Sequence, residues 1–98
     1  MNREAVIDIL KRHREALNRH GVAHAALFGS VSRGEEHSGS DIDILIDLDP
    51  EAHLSVFDYV DLKEYIADLF DGPVDVVNRE GLKPYVKPVV MSDVVYAF

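Results

Sequence analysis

Cysteine is missing altogether, so the chain has neither a disulfide framework nor a thiolate metal site. That absence fits a reducing, cytoplasmic setting. No stretch of about 18 apolar residues occurs, and the chain opens on a polar, helix-like segment, so neither a membrane span nor a signal peptide is expected. Positive charge is scarce: ten Lys and Arg stand against eighteen Asp and Glu, a formal net charge of −8. Nucleic-acid binding needs cations to neutralise phosphates, so direct DNA or RNA binding is disfavoured. An acidic surface suits a basic protein partner. A phosphate-bearing substrate stays open if a divalent cation bridges it to carboxylates. Repeats, low-complexity tracts and long linkers are lacking too. With 98 residues, 47% hydrophobic and 29% charged, a single domain over 1–98 with one core is expected.

What is present reads as alternating helices and strands. Residues 3–19 place Val6, Ile9, Leu10 and Leu17 near one face of an amphipathic helix, with Asn2 as cap and Gly21 as stop. Residues 23–28 form a short apolar strand ending at Gly29. Residues 30–36 suit a short helix or turn and 37–40 a loop. From Asp41 to Asp49 the chain alternates with period two, with Ile42, Ile44, Ile46 and Leu48 on one side and Asp41, Asp43, Leu45, Asp47 and Asp49 on the other. Pro50 ends it. Residues 55–70 make a second amphipathic helix with a core stripe of Phe57, Leu62, Tyr65, Ile66 and Leu69, and Ser55 and Asp58 have capping-box spacing. Asp71-Gly72-Pro73 closes that helix, and 74–78 is a third strand with Asp75 on its polar side. The tail starts near Pro84, with Pro88 shortening or bending its helix, and 94–98 suit an edge strand or packed terminus. The fold class expected is α/β, a small mixed sheet covered by helices.

The chemistry concentrates in 29–49, GSVSRGEEHSGSDIDILIDLD. Asp47 and Asp49 read as a solvated sheet face. Asp41 and Asp43 differ, because they open the strand beside a Gly-Ser turn. At i and i+2 their side chains point the same way, about 6–7 Å apart, and can share cations. A calcium loop fails by position: Ile46 falls where glycine is needed and Ala52 where the bidentate glutamate belongs. A phosphatase of the DxD type fits poorly, since here the aspartates precede the apolar strand. No Gly-Lys-Ser/Thr occurs, which excludes a Walker loop. A Gly-Ser turn leaving one strand and an aspartate pair opening the next can hold phosphate oxygens and metal ions. Asp75 is the best third carboxylate on a neighbouring strand.

The pattern G-S-x2-R-G-x5-S-D-x-D, carried by Gly29, Ser30, Arg33, Gly34, Ser40, Asp41 and Asp43, resembles the signature of the DNA polymerase beta-like nucleotidyltransferases. Size and the ending VVYAF are most similar to the minimal nucleotidyltransferases, the MntA-type antitoxins of HEPN/MNT pairs. The resemblance implies a polymerase beta-like palm, a mixed sheet flanked by helices. It implies magnesium-dependent transfer of AMP from ATP, with two Mg2+ ions. Asp41 and Asp43 would bind both metals and the triphosphate. Asp75 would bind the catalytic metal and help deprotonate the acceptor. Gly29 and Ser30, with Arg33 and Ser40, would hold the nucleotide's phosphates; Arg33 could instead pair with Glu35 or Asp75. The implied partner is a HEPN toxin, a ribonuclease whose tyrosine accepts AMP. Since 98 residues leave no room for an acceptor domain, a partner or second subunit is expected to complete the site, as a homo- or hetero-oligomer.

Two alternatives stay open: an antitoxin that acts by stable complex formation, and transfer to a small-molecule hydroxyl or an RNA end. His13, His20, His24, His37 and His53 match no metal spacing and read as surface or helix-end residues, with His37 the one nearest the motif. Lys83 and Lys87 read as solvated charges. Tyr85, Val89, Tyr96 and Phe98 could form a partner surface or pack in the core.

Overall fold

The computed structural model describes residues 2–34 and 41–98. The first helical stretch is two helices, α1 (Arg3–Arg12) and α2 (Arg14–Arg19). Asn2 caps α1 by accepting the Ala5 amide. The single helix expected over 3–19 is interrupted at His13, whose backbone leaves helical geometry. The His13 Nδ1 lies 2.8 Å from the Ile9 carbonyl, a local side-chain contact that competes with regular backbone pairing. Gly21 then turns the chain at φ +93°, a conformation that glycine adopts without steric cost.

Strand β1 (Val22–Phe28) runs into a four-residue helix, α3 (Gly29–Ser32). Next among the described elements come β2 (Ile42–Leu48), α4 (Val56–Ala67) and β3 (Val74–Asn78). A 3-10 turn at Arg79–Gly81 leads to α5 (Lys87–Ser92) and the two-residue strand β4 (Val95–Tyr96). The sheet order is β3-β2-β1-β4. β1 pairs antiparallel with both β2 and β4, while β2 and β3 are parallel. The sheet is therefore mixed, and α4 supplies the crossover that a parallel pair requires.

The alternation in β2 is realised as a two-faced strand. Ile42, Ile44 and Ile46 enter the core with Val6, Leu10, Leu17, Leu27, Leu62 and Ile66. Leu45, on the other face, is also buried. Asp47 is not solvated as expected: it lies 3.6 Å from Arg79 and is largely covered. Asp49 is exposed and accepts the Glu51 amide at 3.0 Å.

On α4, Ser55 and Asp58 complete a reciprocal capping box. Leu62 and Ile66 are buried and Tyr59, Tyr65 and Leu69 pack partly against the core. Phe57 is a correction: it is 82% exposed. At about 100° per residue it lies roughly 140° from Leu62 and 180° from Ile66, so the helix turns it outward. Pro88 is a second correction. It lies in the first turn of α5, where a missing amide hydrogen costs no helical bond; the helix is short, but it starts at Lys87 rather than bending at Pro88. The terminal segment is the expected edge strand, with Phe98 half-buried against the core. Tyr85 and Val89 are exposed. His13 and His20 are helix caps whose rings meet Tyr65.

Ser55→Ala should cost about 1 kcal/mol, whereas Phe57→Ala should stay within about 0.5 kcal/mol of the parent protein. Urea denaturation of the two variants checks both values.

Candidate functional site

The end of β1, the start of β2 and the start of β3 meet at one end of the sheet. Phe28 is the register partner of Asp43 on one side, and Asp75 is its partner on the other. Strand pairing therefore sets two carboxylates from chain segments thirty-two residues apart directly across from each other on one face. Asp41 lies just outside β2 and is exposed.

Gly29 follows Phe28 and stands against this pair. Its φ is +78°, and a Cβ placed on it would overlap Asp43 Oδ2 and lie 3.1 Å from Asp43 Cγ. Glycine is required here twice over, by the backbone angle and by the closeness of the carboxylate. Ser30 is half-buried in α3, the turn that Gly29 begins.

The electrostatics follow from this crowding. Burial pushes the Asp43 carboxyl above its ordinary value, and the charges of Asp75 and then Asp41 push it further. Arg33 opposes the shift, so its charge is felt at the site. Arg33 is tied by Nη1 to Asp93 Oδ2 at 2.7 Å. Asp93 comes from the α5–β4 turn, sixty residues on. The same turn is gripped a second time, because the buried Ser32 donates its hydroxyl to the Asp93 carbonyl. Arg3 donates to the Ser32 carbonyl at 3.2 Å. The Gly-Ser turn is thus anchored from both α1 and the C-terminal segment.

Ser40, Glu35 and His37 lie outside the described residues. Asp93, Ser32 and Tyr59 were not singled out from the sequence. Burial pushes the Tyr59 phenol up, opposed by hydrogen bonding from the Asn78 backbone and reinforced by the Asp75 charge. No sequence pattern signals either contact, because each joins residues far apart in the chain.

Among the described residues, no group of three or more His, Cys, Asp or Glu side chains is gathered closely enough to hold a metal ion unaided. The donor chemistry nonetheless suits a hard cation. Asp43 and Asp75 offer carboxylate oxygens whose mutual repulsion a cation would relieve, and Gly29 keeps the approach to Asp43 clear of a side chain. Magnesium is commonly held by one or two carboxylates with substrate phosphates completing its shell, rather than by a protein cage.

Comparison with known proteins adds to this geometry. A model of the nucleotidyltransferase domain matches residues 10–97. The chain is 37% identical over 94 residues to the protein adenylyltransferase MntA of Thermococcus cleftensis, which covers 95% of this chain and 93% of that protein. Among solved structures, a candidate minimal nucleotidyltransferase superposes with a TM-score of 0.71 at 30% identity, covering 97% of this chain and 95% of the other. A Shewanella oneidensis complex of a tri-AMPylated HEPN toxin with its MNT antitoxin superposes with a TM-score of 0.63 over 94% of this chain and 71% of that one. At 19% identity that last likeness shows the fold alone.

Because its native-state affinity for a proton is raised, the Asp43 carboxyl weakens the fold once pH exceeds its folded-state titration, and this cost vanishes below the unfolded carboxylate range near about 4. Asp43→Asn should therefore raise the melting temperature of the metal-free protein at pH 7 by a few degrees. The gain should shrink to nothing at about pH 3.5, and thermal melts at the two pH values test the sign.

Proposed function

Belonging to the nucleotidyltransferase family, this chain is an enzyme of that class, and we propose that it transfers AMP from ATP to a tyrosine hydroxyl of a HEPN-domain toxin, acting as the toxin's antitoxin. The observation that carries the reading is the register pairing of Asp43 with Asp75 beside the Gly29–Ser30 turn. The named activity of the Thermococcus relative supports the same reaction. The Shewanella complex, of the same fold, supports the partner class.

In this reading Asp41, Asp43 and Asp75 would hold magnesium together with the ATP phosphates, and the metal would supply charge stabilisation for the in-line displacement. Gly29, bare of a side chain, lets a phosphate approach the backbone, and Ser30 offers a hydroxyl donor. Arg33, held in place by Asp93, contributes a fixed positive charge toward the phosphates. Asp75 lies on the exposed edge strand, where an incoming hydroxyl can reach it. It accepts the tyrosine proton as the tyrosine oxygen bonds to the α-phosphorus and pyrophosphate leaves. Ser40 of the motif would complete the phosphate contacts. The reaction belongs in the cytoplasm, and no described helix is long and apolar enough to cross a membrane.

Incubation with α-labelled ATP, magnesium and a HEPN-domain partner should transfer label to the partner. Asp75→Asn should slow transfer by about 10²–10⁴-fold, the range for losing a positioned base, and Asp43→Asn should reduce it to background. Full labelling by the Asp43→Asn protein would overturn the assignment. Gly29→Ala should impair both stability, by roughly 1–3 kcal/mol, and transfer; calorimetry and the same assay measure the two losses. Protection of cells by an inactive but folded Asp43→Asn protein would instead favour neutralisation by complex formation.

A further inference from the structure

The strand that carries Asp75 is an edge strand. β3 pairs with β2 on one side, and among the described residues no strand pairs with its other side. Such an edge presents a row of backbone donors and acceptors, a template for an added strand. Natural sheets commonly blunt such edges with proline, lysine or a bulge. Here Pro73 precedes the strand, and Val74–Asn78 itself contains no proline and no lysine and pairs with β2 in an unbroken register.

The surface beside this edge is apolar and unusually exposed. Tyr59 of α4 interacts with both the Asn78 backbone and Asp75, which fixes the side of α4 that borders β3. At about 100° per residue, Val56 and then Val60 follow Tyr59 in the same rotational sense away from the Leu62/Ile66 stripe, and Phe57 lies next. These three side chains are 76%, 47% and 82% exposed. They border the Val74/Val76 side of the edge strand while Asp75 lies on the sheet's opposite face, so a strand added at this edge, with side chains alternating between faces, would meet both. Exposed acidic side chains outnumber basic ones here: Asp61 and Glu64 on α4 and Asp71 and Asp75 around β3 stand against Lys63, which lies over the Tyr59 ring. A second copy of this chain, with its own net charge of −8, is a poor occupant of such a surface.

We infer that the outer edge of β3 and the Val56–Phe57–Val60 strip of α4 form the docking surface for an extended, basic-flanked segment of the acceptor protein, which pairs with β3 as an added strand and presents its hydroxyl to Asp75. Backbone pairing supplies the register, the α4 strip takes apolar side chains of the segment, and the carboxylates attract its lysines or arginines. This rests on the proposed transfer to a protein hydroxyl, and it adds the chemistry of the segment and where it binds.

The test uses a fluorescein-labelled ten-residue peptide in which valines and lysines alternate around one tyrosine, titrated with the protein and read by anisotropy. Saturable binding is expected, weakened at least tenfold in a glutamate-flanked counterpart and in a counterpart N-methylated at alternate backbone nitrogens. The doubly substituted Val56→Glu/Val60→Glu protein should also lose at least tenfold in peptide affinity while keeping magnesium–ATP affinity unchanged, which shows that it is folded. Amide hydrogen exchange across 74–78 should slow when the lysine peptide is bound. Failure of the lysine peptide to bind, or equal binding of all peptides or by both proteins, overturns the docking surface. A protein that binds the peptide as expected and never binds magnesium–ATP would leave the docking surface standing and sink the transfer reaction, so the two failures are distinguishable.

Discussion

The site depends on one juxtaposition: the parallel pairing of β2 with β3, which sets Asp43 across from Asp75. Two like charges on neighbouring strands destabilise a sheet, and here burial of Asp43 adds to the cost. The surrounding structure holds the pair in place. β2 is anchored by Ile42, Ile44 and Ile46 in the core, and a slip of one residue would turn those isoleucines out to solvent. The hydrophobic pattern of the strand therefore enforces an electrostatic arrangement that the carboxylates themselves oppose. A local conflict held by global packing is the signature expected of a functional site.

The Gly-Ser turn is fixed with comparable economy. Gly29 has a positive φ and no room for a side chain beside Asp43, so the turn and the carboxylate are fitted to each other. Arg3, Ser32, Arg33 and Asp93 then join α1, α3 and the α5–β4 turn around it. These contacts bring both ends of the described chain to the motif. The short helix is too small to hold itself, since helix nucleation is costly and the first turn yields little return. Its conformation is imposed from outside, through the buried Ser32 and the ion pair beyond it.

Much of this was legible in the chain. The period-two alternation located β2 almost to the residue, the Ser55/Asp58 spacing located the start of α4, and the Gly-Ser and Asp-x-Asp pattern pointed to the site. The errors share a cause. Phe57 was assigned to the core because it is large and apolar, although its angular position places it away from Leu62 and Ile66. Asp47 was assigned to a wet surface because it is acidic, and Arg79, from the next strand's end, lies beside it. Asp93, which pairs with Arg33, arrives from the far end of the chain, beyond the reach of any local spacing. Composition and spacing describe a residue's own preferences, and they do not describe which distant segment will come to lie beside it.

The sequence by itself determined which residues alternate, where helices are capped and which side chains carry oxygen donors, because these follow from local backbone geometry and residue chemistry. Only the tertiary structure decided that β3 is parallel to β2 and at the sheet's edge, that Asp75 stands opposite Asp43, and that Asp93 secures Arg33. The physical reason is that strand order and register come from burying the apolar faces of all elements at once. That condition binds the whole chain together and is written in no single stretch of it.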